Sequence, residues 1–337
     1  QAEDGIRDGP QCLVGSEMCI RDRPYGCRNG ACGSCMGSVV DGDVSYGDGN
    51  PPALDDDAAA AGKALFCQAH ADSDLTIQVR EVDAARDIEI KTLPCRVEKL
   101  EHLAHDVIRI HLKMPATERL QFLAGQYIDV LIKDHDPRSF SIANAPHDDE
   151  YIELHNRYVE GGLFTDQVFH HMKEKTLLRI KGPLGTFFLR EDSDRPIILI
   201  GGGTGFAPLK GILEHAFEIG VERPIHLFWG VRARRDLYLD ELPQQFVREH
   251  SNFSYTPVLS DPQPGDDWGG ETGFVSDAVV RAIPDLSGHD VYMSGPPVMV
   301  EAGHALFMQH GLDESRFFSD AFEYAAIAES IKGLKQD

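Results

Sequence analysis

Four cysteines carry the sharpest chemical signal in this chain. Cys27, Cys32 and Cys35 crowd one glycine-rich stretch, Tyr25-Gly26-Cys27-Arg28-Asn29-Gly30-Ala31-Cys32-Gly33-Ser34-Cys35, and Cys67 follows in Phe66-Cys67-Gln68-Ala69. A C-x4-C-x2-C run with a distant fourth cysteine is a spacing that ligates a 2Fe-2S cluster. Four thiolates around two irons concentrate negative charge. Gly26, Gly30 and Gly33 permit the left-handed turns that aim backbone N–H groups at sulfur. Four cysteines also suit tetrahedral zinc, but zinc sites usually pair two short knuckles, whereas here three ligands share one loop. A zinc-stabilised interaction module is therefore the competing reading, and colour separates the two.

A second signal is Gly201-Gly202-Gly203-Thr204-Gly205-Phe206-Ala207-Pro208, which follows the apolar run Ile197 to Ile200 and opens a helical pattern. In that setting glycines let the backbone approach a pyrophosphate, and the helix N-terminus adds positive dipole. The run is not G-x-G-x-x-G, so a generic dinucleotide-binding dehydrogenase is not favoured. A one-electron cluster and a site for a hydride-donating nucleotide on one chain read as a converter between the two kinds of transfer.

The elements that must position these residues change character along the chain. Glu81 to Lys91 is charged and poor in large side chains, and reads as a linker. From Pro94 short alternating runs follow: Val97 to Leu100, Val107 to Leu112, Tyr127 to Ile132, Phe140 to Ala143, Tyr151 to Leu154 and Leu178 to Ile180. Short strands with Gly and Pro punctuation predict an antiparallel barrel. One helix interrupts it near Thr165, whose hydroxyl is placed to cap Gln167 or Val168. After Arg195, strands at Ile197 to Ile200, Ile225 to Trp229, Phe253 to Leu259 and Val291 to Met293 alternate with helices such as Ala207 to Glu218 and Pro297 to Gln309. That alternation predicts a doubly wound parallel sheet. His170 and His171 are adjacent, which is not the spacing of a helical metal pair.

At 337 residues the chain has room for two or three domains. No apolar run reaches the roughly 18 residues of a membrane span, and a cytoplasmic location is expected. The net charge of −23 repels nucleic acid and anionic lipid, so neither is an expected partner. Such a surface serves solubility or steers a basic redox partner, with Asp55-Asp56-Asp57 the first tract to examine. Residues 1–23 stand apart. Gln1 to Asp8 is the in-frame translation of caa gca gaa gac ggc ata cga gat, and Leu13 to Asp22 that of ctc gtg ggc tcg gag atg tgt ata aga gac, both sequencing-adapter sequences. On this expectation biology starts near Pro24, and Cys12 and Cys19 are neither ligands nor disulfide partners. Only Cys95 then remains outside the cluster set, as a small buried hydrophobe.

Several ordered motifs carry a family resemblance. Arg138-Ser139-Phe140-Ser141 resembles the Arg-x-Tyr/Phe-Ser/Thr flavin motif of the ferredoxin reductase superfamily, and Gly201 to Pro208 its nicotinamide-nucleotide loop. Gly182-Pro183-Leu184-Gly185-Thr186-Phe187 and Tyr292-Met293-Ser294-Gly295-Pro296-Pro297 fall where that superfamily has G-P-x-G-x-F and C-G-P-P. With the cluster loop, the chain from Pro24 resembles the three-domain reductases that serve aromatic-ring oxygenases, phenol and methane hydroxylases, and CDP-6-deoxyglucoseen reduction. The resemblance implies a multidomain α+β and α/β chain. Its parts are a 2Fe-2S ferredoxin-like β-grasp domain over 24–90, an FAD-binding antiparallel β-barrel over 91–193 and an NAD-binding domain over 194–337. It also implies a hairpin and helix before the cluster loop, so the first domain is expected to be N-terminally truncated and small for a core of its own.

By the same resemblance Arg138 pairs with the FAD pyrophosphate, Phe140 lies along the flavin or its ribityl chain, and Ser141 bonds the flavin N5 edge. Read from the residues alone, Phe140 is a core side chain. Gly161, Gly162 and Thr165 bring a helix N-terminus to the same pyrophosphate. The nicotinamide is delivered by Gly202, Gly203, Thr204, Gly205 and Pro208, and by Gly295 and Pro296. Ser294 stands where many members have Cys. Phe322 or Tyr324 covers the flavin face and Glu323 serves a proton relay. Asp261, at the end of the strand Phe253 to Leu259, would repel a 2′-phosphate, which favours NADH over NADPH, although Arg232, Arg234 and Arg235 lie nearby. The implied activity is hydride transfer from NADH to FAD, then single electrons through the cluster to a protein acceptor, an oxygenase or dehydrase component. The alternative is a stand-alone flavin reductase or diaphorase, which has no need of Cys27, Cys32, Cys35 and Cys67.

Overall fold

The computed structural model describes residues 11–12, 25–26, 28, 30, 33–47, 49–79, 84 and 88–322. Contacts divide the chain into two units, Gln1–Ile88 with Gly185–Phe187, and Glu89–Leu184 with Phe188–Asp337.

The first unit holds β1 (Gln11–Cys12), β2 (Met36–Asp41), β3 (Val44–Ser45), α1 (Asp56–Ala60), β4 (Lys63–Leu65), β5 (His70–Ala71) and β6 (Thr76–Gln78). Four strands form an antiparallel sheet in the order β1-β6-β2-β4, and β3 pairs with β5. The alternation is clean in β6, where Ile77 is fully buried and Gln78 exposed. Asp55 serves the helix that follows it, since its carboxylate accepts from Ala58 N at 2.6 Å and caps α1, while Asp56 and Asp57 sit at the positive end of the helix.

The second unit begins with β7 (Lys91–Ala104), β8 (Val107–Lys113), β9 (Tyr127–Val130), β10 (Arg138–Ser141), β11 (Ile152–Arg157), α2 (Leu163–His170) and β12 (Leu177–Leu184). These strands follow the order β10-β9-β12-β7-β8-β11 with every pair antiparallel. A bridge between Ile142 and Leu154 joins the two ends, closing a six-stranded barrel. β7 starts inside the expected linker, at Lys91 rather than Val97. The reason is alternation: Leu93, Cys95 and Val97 are buried while Thr92, Pro94 and Arg96 face out. These inward residues join Ile108, Ile110, Leu112, Ile128 and Val130 in one apolar core, each contributing roughly 1.5–3 kcal/mol by leaving water.

The unit continues with β13 (Ile197–Gly202), α3 (Phe206–Glu218), β14 (Ile225–Val231), α4 (Glu241–Glu249), β15 (Phe253–Leu259), β16 (Glu271–Thr272), α5 (Val275–Ala282), β17 (Asp290–Gly295), α6 (Pro297–Gln309) and β18 (Phe317–Ala321). The six strands form a parallel sheet, β16-β15-β14-β13-β17-β18. β13 is buried along its whole length, the mark of a parallel strand covered on both faces. Strand order reverses between β13 and β17, which opens a crevice at their carboxyl ends. Gly201 to Gly205 and Ser294 to Pro296 stand at that crevice.

Candidate active site

In the first unit, Cys35 is buried and Cys67 half-buried, and both pack against the cluster of Leu54, Leu65, Tyr25 and Tyr46. Burial pushes the Tyr46 hydroxyl up, against the hydrogen bond it accepts from the Leu65 backbone, and the Cys35 and Cys67 thiols add to the rise. The loop is tied down from outside: Phe66 N donates to Cys35 O at 3.3 Å, Ala53 N to Gly30 O at 3.0 Å, and Gln68 Nε2 to Arg28 O at 2.7 Å. Gly30 and Gly33 take the left-handed conformation, φ +80 and +72. At Gly30 a Cβ would also lie 2.5 Å from Pro51 Cβ, so only glycine fits. Cys27 and Cys32 lie outside the described residues. The two thiols that are described, Cys35 and Cys67, pack against one apolar cluster.

In the second unit, β10 presents the flavin motif. Arg138 stands at its start, with Nη1 on the carbonyls of Asp136 and Pro137 at 2.9 and 3.3 Å. Phe140 is half-buried and packs on Phe164, ring centroids 5.1 Å apart, against the barrel core rather than within it. Ser141 Oγ donates to Asp320 Oδ2 at 3.0 Å. Asp320 is buried, and on β18 it is the register partner of Ser294 on β17. Ser294 is fully buried, and its Oγ has no partner among the described residues. A buried hydroxyl left this way is a seat for a missing polar group. Phe322 N donates to Gly295 O at 3.2 Å, so Phe322 adjoins this edge. Glu323 and Tyr324 lie outside the described residues.

The helix expected to be capped by Thr165 begins earlier. Gly162, in extended conformation, is the N-cap of α2, and no side chain caps it. Thr165 is instead in the first turn, its hydroxyl 3.2 Å from Val159 N, Val159 O and Gly162 O. The cap fails because Gly161, at φ +74, turns the chain earlier and the N-cap falls three residues before Thr165. The outcome still leaves the N-terminal amides of α2 uncapped by side chains, which suits an anion.

The nucleotide loop is held with little freedom. Gly203 adopts φ +56, and its carbonyl accepts from Trp229 Nε1 at 2.9 Å. Thr204 is buried, and Gly205 lies so close to Ser294 that a Cβ would fall 2.6 Å from the Ser294 carbonyl carbon. Gly202 is similarly closed, with Met299 Sδ 2.5 Å from any Cβ. Pro208 is buried in the first turn of α3, and Pro296 is the N-cap of α6. Asp261 is exposed, with its N–H bonded to Arg232 O at 2.9 Å. Arg234 is engaged by Asp266, through its N–H at 3.2 Å and Nη1 at 3.0 Å.

Three features escaped sequence reasoning. Asp320 is one, a carboxylate inside an apolar strand. Arg157 is another: from the last position of β11 it brings Nη1 within 2.6 Å of where a Gly203 Cβ would stand, so a barrel strand supplies a cation to the nucleotide loop. The third is a buried polar chain behind that loop. Glu153 lies 2.7 Å from His155 Nε2 and 3.4 Å from Lys210 Nζ, and His155 Nδ1 lies 3.0 Å from Tyr238 Oη. Burial opposes ionisation of Glu153, yet hydrogen bonds from His111 and His155 and the Lys210 charge hold its carboxyl well below the usual range. Burial keeps His155 below its ordinary value, so it is neutral, donating through Nε2 to Glu153 and accepting through Nδ1 from Tyr238.

Comparison with known proteins gives the same three parts in order. Residues 16–72 match the 2Fe-2S iron-sulfur cluster binding domain, 94–189 the oxidoreductase FAD-binding domain, and 199–304 the oxidoreductase NAD-binding domain. The chain is 41% identical over 300 residues to a CDP-6-deoxy-L-threo-D-glycero-4-hexulose-3-dehydrase reductase of Yersinia pestis, covering 88% of each. It is 36% identical over 310 residues to the phenol hydroxylase P5 protein of Acinetobacter pittii, covering 90% of this chain and 86% of that one. Among solved structures, an Amycolatopsis cytochrome P450 reductase aligns with TM-score 0.73 and 35% identity over 89% of this chain and 90% of that one. The chain therefore belongs to the family of NAD(P)H-dependent electron-transfer reductases that join a 2Fe-2S domain, an FAD-binding barrel and an NAD-binding domain in one polypeptide.

Proposed function

We propose that this reductase takes hydride from NADH onto FAD and delivers single electrons through the cluster to a protein acceptor, an oxygenase or deoxysugar dehydrase component, in the cytoplasm. The working domains are 24–90, 91–193 and 194–337, with Cys27, Cys32, Cys35 and Cys67 as cluster ligands. The observation that carries the reading is the Ser141–Asp320 hydrogen bond of 3.0 Å beside the orphaned Ser294 hydroxyl, at the mouth of the nucleotide loop.

FAD, when bound, supplies the exchange between two-electron and one-electron transfer. The side chains around it orient and move protons. Arg138 and the amides at the start of α2 would hold the pyrophosphate. Ser141 donates its hydroxyl hydrogen to the Asp320 carboxylate, which would fix the serine oxygen at the N5 edge and leave Asp320 as the proton acceptor one hydrogen bond away. Ser294 Oγ would bond the nicotinamide carboxamide. Arg157 and the Gly202 to Gly205 backbone would hold the coenzyme phosphates. Asp261 would accept from a ribose hydroxyl, and with Arg234 engaged by Asp266 the region favours NADH. Phe274, 74% exposed just after the Gly273–Leu259 hydrogen bond, offers an apolar ring at the same strand ends.

An anaerobic NADH titration followed by visible absorbance tests this. Loss of both flavin and iron–sulfur bands supports the whole relay. Flavin reduction with cluster bands present but unchanged would favour a stand-alone flavin reductase.

A further inference from the structure

Behind the nucleotide loop, the contacts of the buried polar chain form a ring that starts and ends at the two sides of the site. On one side is Gly203, whose carbonyl is held by Trp229. Trp229 stacks on Phe206 at 4.1 Å and meets Tyr238 edge-on at 5.1 Å. Tyr238 bonds His155, His155 bonds Glu153, and Glu153 faces Lys210. Lys210 Nζ closes the ring by donating to Ala143 O at 3.1 Å, two residues beyond Ser141. Lys210 also pairs with Glu214 at 2.8 Å, and Arg109 Nη1 and His111 Nε2 approach Glu153 at 3.9 and 3.5 Å. Helix α3 is pressed onto the same backbone, since a Cβ at Gly211 would lie 2.8 Å from Asn144 O.

We propose that Lys210, Glu153, His155 and Tyr238 form a latch that sets the nucleotide loop against the flavin strand, making them positioning residues for hydride transfer. This rests on the coenzyme being seated at Gly202 to Gly205. The chain is built for rigidity rather than for ligand contact. Every donor in it has a buried acceptor, and Lys210 lies between the Glu153 and Glu214 carboxylates, so rotating the loop side against the barrel side would strand several polar groups at once. Adaptable packing alone would not impose that all-or-none choice. Hydride transfer is sensitive to such placement because a misplacement of about 1 Å costs on the order of 100-fold in rate.

The test uses the holoprotein with Tyr238→Phe, which removes one hydroxyl and keeps the ring, and with Lys210→Met. Three quantities are read: flavin content, amide exchange at residues 203–206 without coenzyme, and the rate of flavin reduction at saturating NADH with its long-wavelength nicotinamide–flavin absorbance. The latch predicts unchanged flavin content in Tyr238→Phe, exchange faster by about tenfold, and reduction slower by about tenfold with weaker long-wavelength absorbance, the change expected from one lost hydrogen bond. Exchange and saturated rate within twofold of the parent in Tyr238→Phe, with only a lower melting temperature, would overturn it. Should Lys210→Met fail to fold, Tyr238→Phe decides alone. If NADH does not reduce the parent flavin, the coenzyme assignment falls, and the exchange comparison still judges the latch.

Discussion

Gly205→Ala is the sharpest test of where the coenzyme sits. The added Cβ would fall 2.6 Å from the Ser294 carbonyl carbon and 3.1 Å from Gly295 N, both backbone atoms that no rotamer change can move. Carbon atoms rest about 3.5 Å apart, so loop and strand must separate by about 1 Å. Ser294 is also locked in register with Gly201 and Asp320 in the sheet, which directs the movement into the loop. The strain is worth roughly 1–3 kcal/mol of stability. A displacement of that size at reacting groups corresponds to about 100-fold in rate. The expected result is an NADH-dependent flavin reduction slower by about two orders of magnitude, with flavin and iron contents unchanged and dithionite reduction intact. The assay is anaerobic stopped flow over a range of NADH concentrations. A variant that binds and oxidises NADH like the parent would refute the placement of coenzyme between the glycine loop and Ser294.

The other predictions are briefer. Asp320→Asn keeps shape but removes the proton acceptor for Ser141, and flavin reduction should slow by about 10²-fold, the usual worth of a positioned acid–base group; an unchanged rate would remove Asp320 from the site. Arg157→Leu should raise the Kd for NADH by about 10–100-fold, as for loss of a charge-assisted hydrogen bond, with a smaller effect on the saturated rate; an unchanged Kd argues against phosphate contact. Burial pushes the Cys95 thiol up to about 12, so a haloacetamide at pH 8 should leave it unlabelled in the folded chain, as mass mapping would show. Burial likewise pushes His226 down to about 4. Unfolded histidine titrates near pH 6.5, so below that value the unfolded chain takes up a proton the folded chain refuses. Stability should hold above about pH 6.5 and decline toward about pH 4, and melts of His226→Gln should show a shallower decline.

The fold was legible wherever a pattern was local. Ile197 to Ile200 is a continuous apolar run, and it forms the buried centre of the parallel sheet. The glycine run after it turns into α3 where strand-to-helix logic places it. Errors arose at boundaries, where composition outvoted alternation. Lys91 looks like linker by charge, yet its successors alternate in and out and extend β7. Thr165 looks like a cap by residue type, yet Gly161 and Gly162 bend the chain first and push Thr165 into the turn. Propensity names what a residue can do, and the neighbouring backbone decides whether it is placed to do it.

The site divides along the same line, by sequence separation. Ser141 and Arg138 lie in a four-residue motif and Gly203 in a glycine run, so each announces itself. Asp320 does not, because its meaning comes from Ser141, 179 positions away, and Glu323 looks equally suitable on residue type. His155 and Tyr238 are 83 positions apart, and Lys210 and Ala143 are 67 apart. An isolated His in a strand or Lys in a helix reads as surface; burial and a matched partner are what change its chemistry. Arg157 apart, the legible residues would touch the cofactors and the illegible ones would hold two halves of the site together. If that division is right, exchanging only the legible motifs between relatives should carry cofactor binding across while hydride transfer lags, until the partners of Ser141 and Gly203 are moved with them.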